Sequence, residues 1–261
     1  MSKRRTVLVF TVACLILLIS YELFVGDLLF GMLDEEIRLL VDMVVTRLLG
    51  AAVFTVILAY LGYRVLNPIK KPFLRSLLIC LPAFLVAVNN FPFSCLIKGS
   101  AMIDAPIGKI VLLFAECLAV ALFEEMAFRG VIFLGLVERL KKNRKGIFLS
   151  IVLSSAVFAV VHLLNLFTSS PIAVIMQIGY SFLIGGMCSV MLLKTQSIWF
   201  CVAAHAIFNF GGAIVSTCGH GEIWDTFTVI FTAALAIATF AYMLITFLKI
   251  DVSSVDGIYE Q

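Results

Sequence analysis

Runs of about twenty apolar residues, parted by short polar segments, recur along nearly the whole chain. A helix needs about 20 such residues to cross a bilayer. By that measure the chain predicts eight spans, at 6–26, 46–66, 73–93, 107–128, 147–166, 172–193, 196–217 and 226–248. The third is the weakest, because Pro82 interrupts it and Asn89 and Asn90 dilute its end. Segment 28–45 sets Asp34, Glu35, Glu36, Arg38 and Asp42 among leucines and reads as an interfacial amphipathic helix. Lys3, Arg4 and Arg5 precede an apolar run from Thr6 that lacks a small-residue cleavage site, which reads as a retained signal anchor. No repeat or low-complexity tract breaks the pattern. The expected fold is all-α and polytopic, one transmembrane domain over 1–261, ending after Lys249 in a polar tail (250–261) expected to be mobile.

Composition strengthens this reading. The chain is 62% hydrophobic and 13% charged, with a mean hydropathy of +1.14. A soluble domain is about 45–50% apolar and about 25% charged. There is too little polar surface to cover a water-soluble globule, and no basic field of the kind that binds nucleic acid. With the N-terminus inside, 14 of the 19 Lys and Arg residues fall in inside segments and 4 (Arg38, Arg47, Lys98, Lys109) in outside ones. Arg129 is left over, placed inside the membrane. The alternation follows the positive-inside rule and predicts both termini on the cytoplasmic side. Seven scattered cysteines form no CxxC and read as small apolar packing residues. Cys95 and Cys218 fall near one membrane face, where a disulfide is conceivable.

Polar residues inside the spans are the informative exceptions, since each charge costs about 2.5–3.5 kcal/mol on insertion scales. Glu124 and Glu125 are adjacent in the apolar run VLLFAECLAVALFEEMAFRGVIF, with Arg129 four residues after Glu125. Residues four apart share a helix face and adjacent ones differ by about 100°. Glu125 and Arg129 therefore can pair, and Glu124 has no partner within a turn of its own helix. One carboxylate reads as structural and the other as a general base. His162 follows Phe158 by one turn, so the phenyl ring can orient the imidazole. His205 and Asn209 are also four apart, two donors aimed at one place, as a developing oxyanion requires. His220 lies in an expected outer loop and reads as solvated. Glu116 reads as structural or as cavity lining.

The ordered set Glu124-Glu125-x-x-x-Arg129, Phe158-x-x-x-His162 and His205-x-x-x-Asn209, on successive apolar helices, resembles the CPBP family of intramembrane proteases. That family takes in the CAAX prenyl endopeptidases, relatives linked to bacteriocin processing and self-immunity, and proteins labelled abortive-infection (Abi) proteins. Its signature is EExxxR, FxxxH and HxxxN or HxxxD. The resemblance covers about 105–215, and the first hundred residues match nothing by this route. It implies that Glu124 and His162 activate a water, that His205 and Asn209 form the oxyanion hole, and that Glu125, Arg129 and Phe158 support the site. It also implies chemistry without a metal. The residues alone leave zinc open, although no HExxH is present and Asn209 is a poor zinc ligand.

The expected activity is hydrolysis of a peptide bond by glutamate-activated water. The substrate is a peptide or protein segment, prenylated in the best-known relatives, and the setting is the plasma membrane of a bacterium. Two other classes stand beside it. A non-catalytic scaffold or immunity protein of the same fold would not need the intact motif set. A proton-coupled carrier would use intramembrane Glu and His as relays, but the chain shows no repeat or broken-helix symmetry.

Overall fold

The computed structural model describes residues 30–66, 72–141, 143–167 and 169–259. The expected signal anchor at 6–26 lies outside them. The helices are α1 (Glu35–Leu61), α2 (Phe73–Asn89), α3 (Phe93–Lys98), α4 (Ile107–Glu124), a π-helix (Glu125–Phe133), α5 (Leu134–Leu140), α6 (Arg144–Val161), a 3-10 turn (His162–Phe167), α7 (Pro171–Thr195), α8 (Trp199–Cys218), α9 (Thr226–Leu248) and a 3-10 helix (Val252–Ile258). Two three-residue strands, β1 (Ala101–Ile103) and β2 (Gly219–Gly221), pair antiparallel with Met102 opposite His220. Gly221 sits at φ 110°, where a Cβ would run into the Ser100–Ala101 backbone, so the ribbon closes only with glycine there.

Five helices among the described residues are long and apolar enough to cross a membrane: α1, α6 with its 3-10 extension, α7, α8 and α9. Helix α2 is shorter, at 17 residues. Helix α4 is apolar but carries Lys109, Glu116 and Glu124 over its 18 residues. One boundary differs from the sequence expectation. Segment 28–45 does not lie apart as an interfacial helix; from Glu35 it runs unbroken into the expected second span as α1. Its charges stay on the helix because Glu36 pairs with Lys109 at 2.5 Å. Arg47, expected near an outside boundary, consequently lies mid-helix, its guanidinium 5.4 Å from the centre of the Phe123 ring.

The described residues fall into two compact units. The first contains the residues up to Leu61, Ala87–Glu124 and Val202–Thr232. Here α1 runs alongside α4, from the Glu36–Lys109 pair at one end to the Phe54–Phe123 edge contact at the other. Helix α8 returns antiparallel to α4, with Asp104 and Ala105 N–H groups donating to the Cys218 carbonyl. Leu40, Cys95, Leu113, Cys117, Ile214 and Cys218 form one buried apolar cluster. Cys95 and Cys218 lie in it as free thiols, so the conceivable disulfide is not formed. The head of α9 is tied in by Asp225, which caps it through Thr228 N–H at 2.8 Å and also accepts from Ser94 and Lys98.

The second unit contains Gly62–Val86, Glu125–Cys201 and Ala233–Gln261. Asn143 caps α6 and Ser170 caps α7, with Pro171 opening the latter. A Cβ built on Gly185 of α7 would lie 3.0 Å from Ser155 Oγ and 3.1 Å from Ser155 Cα on α6. Small residues thus let these two helices approach closely, as membrane helices do. The tail is not loose. Val252, Val255 and Ile258 recur every three residues, which aligns them on one face of a 3-10 helix. Val255 and Ile258 are buried, and Tyr259 Oη donates to the Leu134 carbonyl at 2.9 Å. Gln196 donates to the Ser254 carbonyl, and Lys141 pairs with Asp256.

Candidate active site

In the first unit, Glu124 is the last residue of α4 and His205 lies in the second turn of α8. Ala121 and Leu122 pack on Val202 and Ala206, and these small side chains bring the two helices together within a turn of both polar residues. His205 Nε2 stands 3.5 Å from Glu124 Oε2, with side-chain exposures of 5% and 20%. That separation is longer than a good hydrogen bond, and catalytic contacts in unliganded sites are often long. The family resemblance joins Glu124 with His162 in activating a water; within this unit Glu124 stands beside His205.

Asn209 follows His205 by one turn and is half-buried. Among the described residues its amide makes no side-chain hydrogen bond, so both N–H donors remain for another acceptor. The local frame is set by a residue that the motifs omit. Asn90 Nδ2 donates to the Phe208 carbonyl at 2.7 Å. Gly211 and Gly212 leave room for that corner, since a Cβ on either would fall 2.6 Å from the Phe91 ring or the Asn90 amide. The sequence signal was the Asn89-Asn90 pair in an apolar run, which had read only as a weak span end.

A cavity of about 320 Å³ in the same unit is lined by Glu36, Leu40, Met43, Lys109, Glu116 and Ser216, among others. Glu116 therefore is cavity lining; Glu124, His205 and Asn209 are not among its walls.

In the second unit, Glu125 opens the π-helix instead of continuing the expected α-helix through 128. A π-helix closes its hydrogen bonds five residues apart, is rare, and concentrates at functional sites. Glu125 Oε2 lies 3.2 Å from Arg129 Nε, with side-chain exposures of 0% and 1%. The guanidinium carbon of Arg129 stands 4.1 Å from the centre of the Phe158 ring. Phe158 also meets Phe128 and His162 edge to face, each with ring centres 4.9 Å apart. His162 ends α6, and its Nδ1 lies 2.8 Å from the Phe158 carbonyl. A carbonyl can only accept, so Nδ1 carries the proton and Nε2 of the neutral ring is the acceptor. Phe158 thus orients His162 through its carbonyl as well as its ring.

The two adjacent glutamates therefore have different partners: a histidine for Glu124, an arginine for Glu125. Among the described residues, one group of three or more potential metal ligands converges, namely Glu125, Cys188 and Cys201, all buried. Glu124 and the histidines are not in it. His220 is largely exposed, 3.2 Å from Asp104.

Residues 106–211 match the family model described as type II CAAX prenyl endopeptidase Rce1-like. Comparison with curated proteins and with solved structures finds no match. The matched segment contains all three polar pairs, and the chain is an integral membrane protein. On these grounds residues 106–211 are similar to the type II CAAX prenyl endopeptidases.

Proposed function

We propose that the protein is an intramembrane endopeptidase in which Glu124 is the general base. The observation that carries this reading is the approach of a buried His205 Nε2 to a partly buried Glu124 Oε2. A water placed between them gives its proton to Glu124 and attacks the scissile carbonyl. The proton then passes to the leaving amine. The N–H donors of His205 and Asn209 stabilise the tetrahedral oxyanion, and water exclusion strengthens those bonds. The family resemblance gives His162 a share in activating the water. Glu125, Arg129 and Phe158 hold their segment rigid. No step requires a metal. The substrate is a membrane-associated peptide or protein, with prenylated C-terminal peptides as the first class to examine. The setting we favour is a bacterial plasma membrane with both termini cytoplasmic.

The test is cleavage by detergent-purified protein of a panel of prenylated CAAX peptides and unmodified membrane-derived peptides, read by mass spectrometry with and without chelator. Glu124→Gln should lower the rate by about 10²–10⁴-fold. Asn209→Ala should lower it by about 10²–10³-fold. Chelator should not abolish cleavage. Equal cleavage by wild type and Glu124→Gln overturns the assignment of the base. No cleavage by folded wild type across the panel favours a non-catalytic scaffold.

A further inference from the structure

Three buried groups in the second unit lie outside the proposed reaction's proton path. Cys188 on α7 and Cys201 at the head of α8 are both 0% exposed, as is Glu125 on the π-helix. The two sulfurs and a carboxylate oxygen of Glu125 all lie within 4.8 Å of one another. The Cys201 thiol donates to the Cys188 carbonyl at 3.2 Å. These residues are 63 and 13 positions apart in the chain, so no spacing motif announces them.

We propose that Cys188, Cys201 and Glu125 form a binding site for a divalent cation of the zinc class. Three atoms within 4.8 Å of one another share a centre roughly 2.8 Å or less from each, and zinc sits about 2.3 Å from sulfur and about 2.0–2.2 Å from a carboxylate oxygen. An inward shift of about half an ångström completes the bonds, within the rotamer freedom of two cysteines. Two thiolates and one carboxylate are a donor set suited to zinc. Charge favours the exchange. One divalent cation enters as two thiol protons leave to solvent, so the net charge of the buried set does not change. Burying net charge would otherwise be costly. Arg129, 3.2 Å from Glu125, supplies the positive charge that balances the carboxylate. A cation held here ties the π-helix to α7 and to the first turn of α8. The site contains neither Glu124, His205 nor Asn209, and the inference does not rest on the peptidase reading.

The experiment uses full-length protein in detergent, stripped with chelator and then titrated with Cd²⁺. Binding is read from the ultraviolet thiolate-to-cadmium charge-transfer band, with Zn²⁺ as competitor. One equivalent should bind, and zinc should displace it. Cys188→Ser and Cys201→Ser should each weaken binding by more than about 100-fold, beyond the roughly 10–100-fold typical of losing an outer-shell partner. Cys95→Ser and Cys117→Ser, in the other unit, should bind as wild type. Affinity should fall as pH is lowered, because thiol protons compete. A folded wild type with no band overturns the proposal, as does a band that survives either serine substitution. If the serine variants fail to fold, X-ray absorption of zinc-loaded wild type decides. Two sulfur neighbours support the site, and an all-oxygen or nitrogen shell refutes it.

Discussion

Replacing Arg129 with methionine tests whether the Glu125–Arg129 pair holds the π-helix together. The side chains are 0% and 1% exposed, and Nε lies 3.2 Å from Oε2. At that distance, with an effective dielectric constant of about 20, the attraction is about 5 kcal/mol. The guanidinium also lies 4.1 Å from the centre of the Phe158 ring, a desolvated cation–π contact worth about 2 kcal/mol. Desolvation of both ions offsets much of this in the intact protein, but removing one partner leaves the other's desolvation uncompensated. Breaking a buried pair costs about 3–5 kcal/mol. Arg129→Met should therefore destabilise by about that amount. The double variant Glu125→Gln, Arg129→Met should recover most of it, because no uncompensated charge remains. The assay is unfolding in mixed detergent, followed by fluorescence of Trp199 and Trp224, for wild type, both single variants and the double. A coupling near zero between the two substitutions would refute the reasoning. So would an Arg129→Met variant within about 1 kcal/mol of wild type.

Three further outcomes follow from other contacts. Gly185→Val should destabilise by about 1–3 kcal/mol by pushing α7 from Ser155, while Gly186→Ala, whose Cβ meets nothing nearer than 3.9 Å, should melt as wild type; a thermal scan of both separates them. At Asp225, the hydrogen bond from Lys98, with others from Ser94 and Thr228, holds the carboxyl well below its ordinary range. Its contribution to stability is then fully present above about pH 4 and is lost as pH falls toward the lowered value. Asp225→Asn should flatten the acid limb of the pH–stability curve, and an unchanged limb would contradict this. Burial, with Tyr63 and Glu138 nearby, pushes the Tyr259 hydroxyl upward. The tail's anchorage should hold below about pH 10 and loosen above it. Tyr259→Phe, which loses the bond to the Leu134 carbonyl, should weaken it by about 1 kcal/mol. Limited proteolysis after residue 249 measures the release.

Much of the molecule was legible in the amino-acid sequence because membranes restrict the options. Every backbone polar group within a bilayer must be satisfied inside its own segment, so long apolar runs become helices. The runs at 147–166, 172–193, 196–217 and 226–248 map onto α6, α7, α8 and α9 within a few residues. Spacing by four likewise foretold that Glu125 meets Arg129 and that Phe158 meets His162, because helical geometry is local. Segment 28–45 was misread since its charges suggested water. In the fold, Glu36 finds Lys109 and the helix simply continues. The tail was read as loose because it is short and polar; the three-residue spacing of Val252, Val255 and Ile258 that lets it bury one face belongs to a 3-10 helix.

The sequence by itself determined that this chain is helical, sits in a membrane and carries three polar pairs at helical spacing. It could not say which side chains meet across helices. Only the tertiary structure decided that Glu124 faces His205, that Asn90 braces the helix at Phe208, and that Cys188 and Cys201 gather at Glu125. The physical reason is the range of the forces involved. Hydropathy and i, i+4 spacing act within one helix. Which helices approach, and at what register, depends on small residues such as Ala121, Gly185 and Ala206 fitting specific neighbours, and that complementarity exists only between segments distant in the chain.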